Sequence, residues 1–90
     1  MGQEISLDEA IKRGFKAFNE GKLNESHSFF LSVLKSNSGI VSANYGIGLI
    51  LKRVGKHQEA LSFFSICHRS EPKNIVFFQE YIKSLILLGS

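Results

Sequence analysis

The strongest constraint on this chain is that it repeats itself. EGKLNESHSFF at 20–30 returns as VGKHQEALSFF at 54–64, an offset of 34 residues. The same offset joins Gly14 to Gly48, Gly21 to Gly55, Lys22 to Lys56, Glu25 to Glu59, Ser28 to Ser62, Phe29 to Phe63, Phe30 to Phe64 and Ser36 to Ser70. Eight coincidences at one offset mark a structural repeat, because periods of roughly 20–50 residues belong to stacked supersecondary units. Each unit of such a stack leaves an apolar face that the next unit must cover.

Within the period, apolar residues recur at helical spacing. Leu7, Ala10, Ile11, Phe15 and Phe18 lie three or four apart, after a Ser6–Glu9 capping box and before Gly21, whose lack of a Cβ suits a helix end. Further helices are expected at Leu23–Lys35, Val41–Val54 (closed by Gly55), Gln58–Arg69 (closed near Pro72) and about Asn74–Leu88. The intervening loops are short, which forces neighbouring helices to run antiparallel. Gly14 and Gly48 fall inside helices, where glycine costs roughly 1 kcal/mol against alanine. Close approach by a paired helix, with Phe30 and Phe64 filling the gap, accounts for them.

The second unit reads Asn44-x₂-Ile47-Gly48-x₂-Leu51, then Ala60-x₃-Phe64, then Pro72. The first reads Ala10-x₂-Arg13-Gly14-x₂-Ala17, then Ser26-x₃-Phe30, with Ser38 where the proline would fall. Phe78-x₂-Tyr81-Ile82-x₂-Leu85 opens a third. This period and pattern resemble the tetratricopeptide repeat (TPR) family over residues 7–89. Asn44 and Ala10 depart from its large aromatic, Arg13 from its leucine and Ile82 from its glycine. The resemblance implies an all-α fold: a right-handed superhelical stack of antiparallel helix pairs, five helices in one domain. Its repeats would be 7–40 and 41–74, with a capping or truncated helix at 75–88.

The resemblance also implies that the first helix of each pair lines a concave groove. The groove residues expected to meet a partner are Ile11, Lys12, Phe15, Tyr45, Leu49, Lys52, Arg53 and Lys83. One subgroup of the family grips a peptide's terminal carboxylate with lysine, asparagine and arginine. The matching positions here are Ile11, Phe15, Gly46, Val76 and Glu80, so that clamp is not expected. The groove reading calls for an apolar or weakly acidic peptide. Aromatic stripes at helical spacing also serve as core, and for Phe15, Phe18 and Tyr45 that alternative stands beside the groove.

The last helix is apolar almost all round, a pattern that belongs in an interior. Terminal helices of such stacks normally show a polar outer face. Self-association is therefore expected through Phe77, Phe78, Tyr81, Leu85 and Leu88, giving a homodimer. The chain reads as the N-terminal part of a longer protein.

Other chemistries find little support. Eleven Lys and Arg against eight Asp and Glu give a net charge of +3, but the charges are dispersed, so nucleic acid is not the expected partner. His27, His57 and His68 have no metal-ligand spacing. The lone Cys67 reads as a buried, inert thiol. Gly46-Ile47-Gly48 lacks the third glycine and the strand of a dinucleotide site. MGQEIS fits the short N-myristoylation pattern, but Ser6 already serves as a cap. Asn24-Glu25-Ser26 is a glycosylation sequon, without consequence in a chain that is not secreted. No paired carboxylates or Ser–His–Asp set emerges, so no catalysis, cofactor or metal is expected. The expectation is a cytoplasmic interaction or scaffold module with a protein or peptide partner and no membrane. The alternatives are a non-catalytic region of a larger enzyme, such as a transferase, and a helical-repeat RNA binder.

Overall fold

The computed structural model describes residues 5–89; the MGQEIS pattern begins outside them. The described residues form five helices and no strand. These are α1 (Leu7–Asn19), α2 (Leu23–Ser36), α3 (Val41–Arg53), α4 (His57–Ser70) and α5 (Ile75–Gly89). At 1.5 Å per residue such helices are roughly 20–22 Å long. The molecule measures 49 × 25 × 18 Å. One helix length therefore fills the middle dimension, and the helices stack in a row along the longest. Each packs on its chain neighbours, and α1 also touches α3.

Local chemistry sets the helix ends. The Glu9 N–H donates to Ser6 Oγ at 3.0 Å, which caps α1. The return half of the expected capping box does not appear; the Glu9 carboxylate instead accepts from Arg13 Nε at 3.1 Å. The turns after α1 and α3 have the same construction. Gly21 and Gly55 take φ of 78° and 86°. Behind them, Lys22 N–H donates to Ala17 O and Lys56 N–H to Leu51 O, both at 2.8 Å. Each is a Schellman closure, which only a residue tolerant of the left-handed region completes without strain.

Packing follows the repeat. Phe30 and Phe64 have no exposed surface. A Cβ on Gly14 would lie 2.6 Å from the Phe30 ring, and one on Gly48 would lie 2.6 Å from the Phe64 ring. Gly46 meets the Phe30 ring as well, so that ring is wedged between α1 and α3. Ser26 and Ala60 hold equivalent buried places on the second helices. The Ser26 hydroxyl donates to Gly14 O at 2.7 Å, while Ala60 offers a methyl. Val33 and Cys67 form the next equivalent pair, both fully buried. The Cys67 thiol donates to Val41 O at 3.7 Å. Burial, helped by the Glu71 charge, pushes it up to about 11.

Asn44 replaces the large aromatic of the repeat pattern and is buried. Its Nδ2 donates to Ser38 O at 3.1 Å and to Ile40 O at 3.0 Å, pinning the loop between the two units. Among the described residues no helix is long and apolar enough to cross a membrane.

Candidate functional site

The first helices of successive pairs, α1, α3 and α5, are connected by a chain of aromatic rings. Phe15 lies edge-on to Phe30 at 4.9 Å between centroids and 6.4 Å from Tyr45. Tyr45 in turn lies 6.1 Å from Phe64 and 5.1 Å from Phe77. Contacts of this length and tilt suit the ring quadrupoles. Phe15 and Tyr45 thus serve both readings of the sequence: their rings pack on the core, and each keeps a partly exposed edge. Burial raises the Tyr45 phenol pKa, with smaller contributions from Glu80 and Cys67.

The basic edge differs from expectation. Lys52 Nζ sits 2.7 Å from Glu80 Oε1, joining α3 to α5, so its charge is already matched. Arg53 has no carboxylate partner among the described residues; its guanidinium lies 4.4 Å over the Phe18 ring. Lys12 is exposed at the place in α1 that Gly46 takes in α3. In α5 the same place holds Glu80, the partner of Lys52. Lys83 is exposed at the place corresponding to Leu49, and Ile11 is half-buried against the core.

The structure gathers five residues at the C-terminal ends of α1 and α3. Phe18, Leu49, Lys52, Arg53 and His57 line an open depression of about 340 Å³. Leu49, Lys52 and Arg53 were legible as groove residues. His57 was not, because its neighbours there come from α1 and α3 rather than from its own helix. Its Nδ1, like that of His68, is buried without a hydrogen-bond partner among the described residues. Buried polar atoms are usually satisfied, so an orphan of this kind calls for an explanation.

The residues expected to form a self-association face are not brought together as one face. Phe77 is only 8% exposed and belongs to the core, packed on Tyr45. The reason is rotation: Phe77 follows Ala43, itself fully buried, by one repeat period. Tyr81 stacks on His68 of α4 at 5.3 Å and 19°. Phe78 touches the same imidazole at 5.4 Å but stays 47% exposed, with Leu85 at 41% and Leu88 at 42%. Ile75, Val76, Ile86 and Leu87 are exposed as well, so most of the apolar surface of α5 is open.

Over 65 residues the chain is 36% identical to "Cellulose synthase operon protein C" of Komagataeibacter xylinus, a stretch that makes up 72% of this chain. The chain spans about 5% of the length of that curated relative. No protein-family model matches it.

Proposed function

We propose that this chain is a TPR-type interaction module that holds an extended peptide segment along α1, α3 and α5 and performs no chemistry itself. The observation that carries the reading is the partly exposed strip Phe15–Tyr45–Leu49. It runs across two repeats and ends in the depression beside Phe18. The helical stack and the likeness to one short stretch of a much larger protein support it. Leu49 tests it best, because it is half-buried and lines the depression. A random peptide library selected on the chain is expected to yield binders that Leu49→Glu no longer holds, with the helical circular dichroism unchanged. Binders that tolerate Leu49→Glu would place the contact elsewhere.

A second reading is a non-catalytic region of a larger, synthase-associated protein. It rests on the relative's size and on its name, which refers to a cellulose synthase operon. The full coding frame around residues 1–90 distinguishes the two, because an adjoining catalytic domain would favour the second.

We also infer that a second copy covers the open side of α5. In α3 the side bearing Gly48 receives the Phe64 ring of α4. The corresponding place in α5 is Ile82, whose branched Cβ fills the space that such a ring would need. The flanking Phe78 and Leu85 are exposed, so an apolar helix of the same kind fits better than another second helix of this pattern. Light scattering over a wide concentration range is expected to show a dimer that Leu85→Glu dissociates. A monomer throughout would rule this out.

A further inference from the structure

The turns after α1 and α3 are the same backbone built twice, yet the ground beside them differs in charge. At the first turn a depression of about 260 Å³ is lined by Arg13, Lys16 and Lys22 together with Glu20 and Glu25. Its charges pair locally: Glu20 lies 3.9 Å from Lys16 and 3.4 Å from Lys22. The Phe18–Leu49–Arg53 depression has no acidic residue in its lining. Its Lys52 is paired with Glu80, but Arg53 has no carboxylate partner among the described residues.

Arg53 uses the face of its guanidinium on Phe18 and makes no hydrogen bond among the described residues, so its N–H edges are left for another acceptor. Helix α4 starts at His57 with no side-chain cap, so its positive end adds to the same field. An apolar anchor alone would cover Arg53 without satisfying it, and desolvating an unpaired charged group is unfavourable. A carboxylate beside an apolar group satisfies the guanidinium. Guanidinium matches it in shape as well as in charge.

We propose that this depression seats an aspartate or glutamate side chain of the bound peptide. The apolar residue next to it rests on Phe18 and Leu49, and Arg53 selects the charge. This rests on the groove reading above. The probe is the peptide enriched from a random library displayed without a free C-terminus, synthesised with both ends capped. Its partner is the same peptide with Asp→Asn or Glu→Gln. By fluorescence anisotropy at low salt, the neutral version is expected to bind about tenfold more weakly, the scale of one charged hydrogen bond. Arg53→Gln is expected to shrink that preference to less than about twofold with the thermal melt unchanged, while Lys35→Gln, an exposed change on α2, preserves it. Enriched peptides that lack an acidic residue, yet are lost on Leu49→Glu, would overturn this proposal and leave the groove reading standing. An acidic preference that survives Arg53→Gln would overturn it too. A library that yields nothing would overturn both.

Discussion

Helices α3 and α5 sit one repeat period apart, yet they live in different surroundings. In α3, Ala43, Asn44, Gly46, Ile47, Gly48 and Ile50 are all buried. In α5 only Phe77 and Ser84 are. The difference follows from what covers each helix. Phenylalanine rings close on α3 from both sides, Phe30 at Gly46 and Phe64 at Gly48. Helix α5 receives α4 on one side, and its Phe78–Leu85 side is open. Apolar composition alone would make α5 the more buried of the two. Glycine placement, which allows close approach, is what marks the inner helix.

The comparison breaks most visibly at the rings. Phe30→Ala is expected to lose about 3–5 kcal/mol in urea unfolding, which is most of a small domain's stability. Phe78→Ala, taken from the open side, should lose less than about 1 kcal/mol. Comparable losses would mean that α5 is as enclosed as α3.

Thiol chemistry reads the α3–α4 junction. With Cys67 raised from 9.0 to about 11, native thiolate near pH 8 falls about a hundredfold. Labelling by a disulfide reagent should slow by at least that factor and recover on unfolding. Because the folded value lies above the unfolded one, this group's contribution to stability is full below pH 9 and fades as pH rises towards 11. Rapid native labelling would show that α4 lifts readily from α3.

Gly46→Ala sharpens the contrast further. Its methyl would enter the Phe30 ring, an overpacking loss of about 1–3 kcal/mol before the helix-propensity gain of roughly 1 kcal/mol. At the equivalent place in α5, Glu80→Ala should lose about 1 kcal/mol or less, since the Lys52 pair it breaks is partly solvated. Ser26→Ala, a loss of similar size, turns the first repeat's contact into the second's. One hydrogen bond, about 1 kcal/mol, is at stake, and Ala60 already shows that a methyl fits.

Much of the architecture was legible because it rests on local spacing. Helix positions, the left-handed Gly21 and Gly55, the Ser6 cap and the Phe30–Gly14 and Phe64–Gly48 pairs all follow from residues within one period. The site was legible only in part. The sequence placed Leu49, Lys52 and Arg53 on one side of α3, but the partner of Lys52 lies 28 residues away, at Glu80. Nothing local announces that pairing. Phe15 and Tyr45 sit where the groove meets the core, so no periodicity separates the roles. Gly46 was passed over as half of a failed nucleotide motif, although two glycines in one helix turn already signalled a second close approach. His57 and Phe77 depend on helix rotation, which packing decides to within a fraction of a turn.

The Phe30 ring belongs to the first repeat by sequence and to both repeats by contact. A fragment ending at residue 40 would keep the Gly14 wall of its pocket and lose the Gly46 wall. The smallest block that encloses this ring is therefore three helices, a pair plus the helix that follows, while the written period is two. Packing and spelling run out of phase by one helix.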